Sequence, residues 1–355
     1  MGWLFFITLF CGLCCLIFSV SFAVSFALLF YLHSAILVYK NETVVSERTR
    51  MKTLLENIIK ECKPYIEKGA VANYIPELSK ADKNGFGICV IGHDNAVVHV
   101  GDYEQEFTMQ SIIKPLILLM ALIDNGAEVV RDLVGVEATG KPFDAFNYSD
   151  QALNGEHINP MVNTGAIALC TLIKGASYAE KFDRLLELAR KISGNSGLAV
   201  NERVYLSEKA TGSKNRALAY MLKAYGMIHD DVEEVLDCYF RACSISATIV
   251  DLARIASVFA FGGVEPTTGN RLFAKEYARH VNAVLMTCGM YDGSGEFALN
   301  VGVPAKSGVG GGIMAIVPNR MGIGIYSPAL DSKGNSIAGI KALEQLSVNL
   351  ELSIF

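Results

Sequence analysis

The sequence predicts an α+β fold, an antiparallel sheet covered by helices plus an inserted helical subdomain. Two observations predict this fold. Runs rich in β-forming residues lie toward both ends of the polar part of the chain, and the stretch between them has helical periodicity. The chain has 355 residues, and since single domains reach about 250–300 residues, we expect one large domain with an accessory segment.

Two predicted hairpins supply four strands of the sheet. Residues 87–91 and 96–100 are rich in apolar and β-branched residues and are separated by a Gly-His-Asp-Asn turn. Residues 313–317 and 322–326 form a second pair of this kind around a Pro-Asn-Arg turn. We expect the four strands to share one antiparallel sheet.

The sequence predicts two helices, together with the residues that end the first and begin the second. Four apolar residues between the hairpins recur at helical spacing, Ile249, Leu252, Ala256 and Phe259. The pair Gly262-Gly263 then ends that helix as a C-terminal cap would. Near the C-terminus, Asn335-Ser336 can cap a helix that returns to cover the sheet, with three leucines on one face, Leu343, Leu346 and Leu350.

The N-terminus is almost continuously apolar from Trp3 to Val38, and no charged residue precedes Lys40. This run exceeds the roughly 20 residues that cross a bilayer and the 7–15 or so of a signal-peptide core. The sequence therefore predicts a transmembrane anchor at residues 1–40, a polar linker with a lead-in helix at 41–60, and the main domain at 61–355. The alternative is that the apolar segment is a gene-model artefact, since none of the motifs described below lies in it.

Basic residues after the apolar run favour a cytoplasmic location for the main domain. They are Lys40, Arg48, Arg50 and Lys52, partly offset by Glu42 and Glu47. If the segment is an artefact, a soluble cytosolic or mitochondrial protein is the alternative. The run lacks the Arg-rich, amphipathic character of a mitochondrial presequence.

Charge and cysteine usage exclude other classes of function. The formal net charge is −5 and basic residues do not cluster, so nucleic acid is not an expected partner. The nine cysteines show no paired spacing that would hold zinc. Cys11 and Cys14 have a Cys-x-x-Cys spacing but lie in the apolar run, where neither a redox unit nor a metal site is indicated.

A first catalytic motif is Ser111-Ile112-Ile113-Lys114, which leads into the apolar run 115–123. Residues three apart share a helical face, so the Lys114 amine is expected within reach of the Ser111 hydroxyl. A lysine in an apolar pocket loses its proton readily and can then activate a serine nucleophile. The motif alone is weak, because an exposed first helical turn explains it equally well.

A second motif strengthens this interpretation. Lys306-Ser307-Gly308 stands before a Gly-rich turn and the strand 313–317, as the Lys-Thr-Gly element does in serine penicillin-recognising enzymes. The glycines would let backbone N–H groups approach a substrate, as an oxyanion hole requires. Together the motifs predict serine acyl transfer on a β-lactamase/DD-peptidase-like fold.

Six motifs in order resemble those of the glutaminase family over residues 74–335. They are 110–114, 159–163, Ser207-Glu208 with Asn215, Tyr239-Phe240 before Cys243-Ser244-Ile245, 288–292 and 304–309. The resemblance implies hydrolysis of L-glutamine to L-glutamate and ammonia, without metal or cofactor. It also implies self-association as a homodimer or homotetramer, and an inorganic anion is a possible activator. Gly310 departs from the usual alanine, and residues 209–211 replace a more polar stretch.

The resemblance assigns roles to individual residues. Ser111 is the nucleophile, Lys114 the base, and Tyr291 assists proton transfer. Backbone N–H groups of Ser111 and Val309 are expected to bind the oxyanion. The substrate-binding residues would be Tyr74, Gln110, Ser111, Asn163, Glu208, Asn215, Tyr239, Tyr291 and Val309.

The chemistry of glutamine agrees with these residue types. A carboxylate such as Glu208 suits the α-ammonium, and the Asn and Tyr side chains can donate to the α-carboxylate. Residues 137–150, with the aromatic residues Phe143, Phe146 and Tyr148, are a candidate lid. Two alternatives remain open, a penicillin-recognising β-lactamase or peptidase and an inactive membrane-anchored binding homologue.

Overall fold

The computed structural model describes residues 45–93, 95–140, 142, 144–145 and 158–355. Contacts divide the chain into two compact units, Met1–Thr53 and Leu54–Phe355. In the first unit, residues 45–53 are helical, and the predicted anchor at 1–40 lies outside the described residues. Among the described ranges, no helix combines the length and apolar character needed to cross a membrane.

The second unit is built on a five-stranded antiparallel sheet of order β2-β1-β7-β6-β5. Its strands are β1 (Gly87–Gly92), β2 (Val97–Gly101), β5 (Ala305–Ser307), β6 (Gly312–Val317) and β7 (Met321–Tyr326). Apolar residues face each other across the central pair, with Ile88 opposite Ile325 and Val90 opposite Ile323. The four predicted strands and their shared sheet are confirmed.

The edge strand β5 is an addition to the prediction. It pairs with β6 over only three residues, with Lys306 opposite Met314. A run this short carries too little alternation to be recognised from the sequence. Its consequence is that Lys306 and Ser307 are fixed at the sheet edge, in a fully buried position.

Helix α8 (Ile249–Ala260) packs on β7, β6 and β1. Thr248 caps it: its hydroxyl accepts from the backbone N–H of Asp251, and the Asp251 carboxylate accepts in return from that of Thr248. Gly262 and Gly263, both with positive φ, follow its end. The predicted helix and its cap are confirmed.

Helix α11 (Ile337–Leu350) covers the opposite face of the sheet. Ser336 is its N-cap and accepts a hydrogen bond of 3.1 Å from the backbone N–H of Gly339. A Cβ on Gly339 would lie 3.1 Å from the Cδ1 of Ile313, whereas α8 lies over Gly324, whose β6 partner is Met314. Neighbouring residues of a strand point to opposite faces, so the two helices enclose the sheet.

The remaining helices form the predicted inserted subdomain and its links to the sheet. Residues 54–62 form α1, and the other helices are α2 (Lys114–Leu133), α3 (Asn163–Leu172), α4 (Tyr178–Ser193), α5 (Glu202–Thr211), α6 (Ser213–Ala224), α7 (Val232–Cys243), α9 (Lys275–Cys288) and α10 (Ser294–Asn300). Short strands β3 (Phe107–Thr108) and β4 (Ser246–Ala247) pair between them. The α+β prediction is confirmed.

The segment before α2 is a 3₁₀ turn, Gln110–Ile113, rather than the first turn of an α-helix. Pro115 explains the difference, because it has no N–H to donate to the Ser111 carbonyl four residues back. The backbone N–H of Lys114 donates to that carbonyl instead, which is a 3₁₀ bond. The motif serine thus lies in the tight turn and the motif lysine opens the helix.

Candidate active site

Lys114 is completely buried, and its amine is oriented by two acceptors. Nζ donates to the carbonyl oxygen of Met161 at 3.0 Å and to Oδ1 of Asn163 at 2.7 Å. Burial lowers the pKa of Lys114 to about 8, and the negative charge of Glu208 limits the shift. A substantial neutral fraction near neutral pH is what a general base needs.

Asn163 links three of the predicted residues. It is the first residue of α3, and its Oδ1 also accepts from the Tyr239 hydroxyl at 3.3 Å. Its Nδ2 donates to Oδ1 of Asn215 at 2.8 Å. Accepting from Lys114 and Tyr239 fixes the amide orientation, so that its donor group points toward Asn215.

Glu208 is a buried carboxylate on α5. Burial raises its pKa to about 8, opposed by the hydrogen bond from Gln110 and by the charge of Lys114. The bond from Gln110 Nε2 to Oε2 is 3.5 Å long. A buried carboxylate without a full countercharge favours a cationic ligand, because such a ligand stabilises its ionised form.

One pocket of about 80 Å³ brings most of the predicted residues together. Seven of the nine predicted substrate-binding residues line it, Tyr74, Gln110, Ser111, Asn163, Glu208, Asn215 and Tyr239. Ser111 is only 7% exposed there, while Tyr74 is 52% exposed. Ser111 is therefore deep in the pocket, and Tyr74 lies toward solvent.

The other two predicted residues, Tyr291 and Val309, belong to an adjacent apolar cluster. Ile75 is in this cluster and also lines the pocket. Burial raises the pKa of Tyr291, and the neighbouring Ser111 side chain opposes the rise. The Tyr291 phenol is thereby placed beside the candidate nucleophile.

Lys306 lies behind Tyr291. Its Nζ is 4.3 Å from the centre of the Tyr291 ring and donates to the carbonyl oxygens of Gly289 at 3.0 Å and Ser307 at 2.6 Å. Burial lowers its pKa well below the usual lysine value, and the charge of Lys114 adds to the effect. The two buried amines repel each other when both are protonated. The state in which both are charged is therefore disfavoured.

The turn after β5 lies against the backbone that precedes Ser111. A Cβ on Gly308 would lie 2.6 Å from the carbonyl oxygen of Met109, and one on Gly310 would lie 2.4 Å from that of Thr108. With glycine at both positions, the two backbone segments approach each other this closely. Val309, between them, is thus held next to the turn that carries Ser111.

Further pocket residues had little signal in the sequence. Asp144 and Lys214 both line the pocket and form an ion pair of 2.5 Å. Asp144 lies in the candidate lid, whereas the aromatic residues Phe143, Phe146 and Tyr148 lie outside the described residues. Cys243, which also lines the pocket, was visible only as part of a motif.

Within the described ranges, no group of three or more His, Cys, Asp or Glu side chains is placed to hold a metal.

An antiparallel sheet enclosed by helices, with a serine and a lysine three residues apart at the start of a buried helix, defines a β-lactamase-like class of protein. The glutaminase family matches residues 69–355. The chain belongs to the glutaminase family.

Individual relatives agree. The chain is 52% identical over 305 residues to a glutaminase of Clostridium tetani, covering 86% of this chain and all of that protein. It is 51% identical to a glutaminase of Clostridioides difficile, covering 86% and 98%. It is also similar to a Bacillus subtilis glutaminase solved as a covalent complex with 5-oxo-L-norleucine, formed by reaction with 6-diazo-5-oxo-L-norleucine. That match has a TM-score of 0.78 and 38% identity, and it covers 85% of this chain and 98% of the other. The chain is therefore an amide hydrolase of the glutaminase type.

Proposed function

We propose that this chain hydrolyses the side-chain amide of L-glutamine to L-glutamate and ammonia, with Ser111 as nucleophile and Lys114 as its base. The observation that carries the proposal is the pocket itself. Ser111 lies in it together with the buried carboxylate of Glu208 and with Asn163, which binds the Lys114 amine. A nucleophilic serine and a carboxylate that can bind a cation, both in one pocket, suit an amino acid with a side-chain amide.

Acylation begins when the Ser111 hydroxyl loses its proton to neutral Lys114, with the Tyr291 phenol as the relay between them. The serine oxygen attacks the amide carbon of glutamine, and the carbonyl oxygen becomes an oxyanion that accepts from the backbone N–H groups of Ser111 and Val309. Collapse of the intermediate breaks the C–N bond. The nitrogen takes the proton back and leaves as ammonia.

Deacylation repeats these steps with water. A water molecule gives its proton to Lys114 and attacks the acyl carbon, and the second tetrahedral intermediate expels the Ser111 oxygen. The serine recovers its proton, and glutamate leaves with a new carboxylate. Both steps use only side chains of the site, so no other reactant than water is needed.

Substrate recognition uses the other end of the amino acid. The α-ammonium pairs with Glu208, and its positive charge returns the Glu208 pKa toward the ordinary range on binding. Asn215 and Tyr74 supply donors to the α-carboxylate, and Tyr239 does so when its hydroxyl turns from Asn163 to the substrate. The adduct of the Bacillus subtilis relative supports this orientation, because 5-oxo-L-norleucine has an α-amino acid end and a ketone carbon where glutamine has its amide carbon.

Self-association, activation by an inorganic anion, closure of a lid over the pocket and attachment to a membrane through residues 3–38 stay predictions. The last is tested by fractionating cells that express the full chain. Recovery in the membrane fraction, and release when residues 1–40 are deleted, would support the anchor. A supernatant location for the full chain would contradict it.

The proposal is tested by ammonia release from the full chain supplied with glutamine or asparagine, and by loss of the lactam absorbance when the chain is supplied with a β-lactam. Ser111→Ala should lower kcat on glutamine more than about a thousandfold with an unchanged melting temperature, because it removes only one hydroxyl. Activity within about tenfold of the parent, a barrier difference of only ~1.4 kcal/mol, would contradict a serine nucleophile. Covalent labelling of the parent by a fluorescent penicillin would favour the penicillin-recognising alternative instead.

A further inference from the structure

The backbone at Tyr291 has an unfavourable conformation. Tyr291 begins the 3₁₀ turn Tyr291–Gly293 and has a φ of 54°. A large side chain is rare in the left-handed region, because its Cβ crowds the backbone there. Such a conformation persists only where surrounding contacts determine it, and it is commonest at functional sites.

Ser294 bridges the backbone on both sides of Tyr291. Its Oγ accepts from the backbone N–H of Met290 at 3.0 Å and donates to the carbonyl oxygen of Tyr291 at 2.9 Å. The side chain is 5% exposed, so water does not replace these two bonds easily. One hydroxyl therefore fixes the positions of the groups before and after the strained residue.

Asn335 holds the same turn from the C-terminal part of the chain. Its Nδ2 donates to the carbonyl oxygen of Met290 at 3.2 Å, and the residue is 1% exposed. Asn335 is itself fixed by Asp331, whose Oδ1 accepts from its backbone N–H at 2.9 Å and whose backbone N–H donates to its carbonyl oxygen at 2.8 Å. The peptide group that precedes Tyr291 is thus anchored to a second, independent segment.

We propose that Ser294 and Asn335 are positioning residues that hold the Tyr291 phenol against Ser111. The inference rests on the proposed function, in which Tyr291 relays the proton of Ser111. The Lys306 amine constrains the ring from one side, but the ring also follows its backbone, which these two residues define. A misplacement of a reacting group by about 1 Å costs on the order of a hundredfold in rate.

The first experiment compares Ser294→Ala with Ser294→Thr and with Ser347→Ala in glutamine hydrolysis. Ser347 is a matched control, because it is also a buried serine whose Oγ donates to a backbone carbonyl, that of Val301 at 2.7 Å, away from the pocket. We expect Ser294→Ala to lower kcat about 10- to 100-fold with KM within about threefold. Ser294→Thr, which keeps an Oγ, should recover most of the loss, and Ser347→Ala should lose none.

The second experiment adds Ser294→Ala to Tyr291→Phe, which has lost the phenolic hydroxyl. If Ser294 acts through that hydroxyl, the second substitution should lower kcat by less than about twofold in this background. An equal loss in both backgrounds, or an equal loss in Ser347→Ala, would overturn the inference and leave the proposed function intact. Full activity of Tyr291→Phe would instead overturn the relay role in the proposed function, and the inference with it.

A variant at the other anchor keeps the test available if Ser294→Ala does not fold. Asn335→Leu has a similar size but lacks the Nδ2 donor to Met290. We expect Asn335→Leu to cause the same loss of kcat at nearly constant KM. Adding Asn335→Leu to Tyr291→Phe should cause no further loss. A change in KM alone would contradict a positioning role for Asn335.

Discussion

At the scale of single residues, the proposed chemistry depends on how the buried amine of Lys114 is kept partly neutral. The acceptors Met161 and Asn163 and the negative charge of Glu208 stabilise the charged form of Lys114, whereas burial stabilises the neutral form. Burial prevails, and the pKa of Lys114 falls to about 8. The hydrogen bonds therefore orient the amine without making it useless as a base.

The pH dependence of kcat/KM should follow from Lys114 and Glu208. In the proposed mechanism Lys114 acts when neutral and Glu208 binds the ammonium when ionised, so both active fractions increase as the pH rises through about 8. We expect kcat/KM for glutamine to rise steeply between pH 6 and 8, roughly the range in which these groups titrate. A profile measured in buffers of constant ionic strength checks this.

The Glu208→Gln variant separates the two groups. The negative charge of Glu208 raises the pKa of Lys114, so removing that charge should move the remaining limb of the profile to lower pH and halve its steepness. A flat profile in the parent would contradict the role of both groups. A limb that moves to higher pH in the variant would contradict the coupling between them.

At the scale of elements, the contact between α8 and β7 sets the distance between that helix and the sheet. Two glycines of β7 lie directly under the helix. A Cβ on Gly322 would lie 2.2 Å from the carbonyl oxygen of Ala253, and one on Gly324 would lie 2.1 Å from that of Ile249. No side chain fits between the elements at these positions, so the helix backbone rests on the strand.

Gly324→Ala should therefore lower the free energy of unfolding by about 1–3 kcal/mol or more, because α8 must move off the sheet to admit a methyl group. Urea unfolding measures the change. Gly295→Ala is the matched control, because no atom lies within 4 Å of its Cβ position and its φ is ordinary. The free energy of unfolding of Gly295→Ala should equal or slightly exceed that of the parent. Equal values for the two variants would show that α8 moves to admit the methyl group without loss of stability.

At the scale of the whole molecule, the pocket is assembled from segments far apart in the chain. Tyr74 precedes β1, Ser111 precedes α2, Glu208 lies on α5 and Tyr239 lies on α7. The separation between Glu208 and Ser111 therefore depends on how the helical subdomain packs against the sheet. In the proposed function, that separation decides which length of amino acid is hydrolysed.

Selectivity for glutamine should depend on both Glu208 and Ser111, which lie at the two ends of this separation. Asparagine is one methylene shorter, so with its ammonium on Glu208 its amide carbon would stop short of Ser111. Glu208→Gln should weaken hydrolysis of glutamine but spare glutaramate, which lacks the α-amino group, so that the preference between the two narrows. Values of kcat/KM for both substrates check this. An equal loss on both would mean that Glu208 does not read the α-amino group.

Local patterns were enough to predict several features from the sequence. The two hairpins, the helix Ile249–Ala260 and the Ser336 cap were each predicted and are confirmed. Strand alternation, helical spacing and capping are short-range properties, because they depend on backbone geometry within a few residues. The ordered motifs also identified the family, because residue types at fixed spacings can be read directly from the sequence.

Tertiary structure alone decided what the motif residues contact. The spacing of Ser111 and Lys114 placed them one turn apart, but it did not show that the Lys114 amine binds Met161 and Asn163, about fifty residues further along. Nor did the sequence show that Lys306 lies over the Tyr291 ring. Such contacts depend on the packing of elements that are distant in the chain, and burial, which sets the pKa values of the site, exists only once those elements are packed.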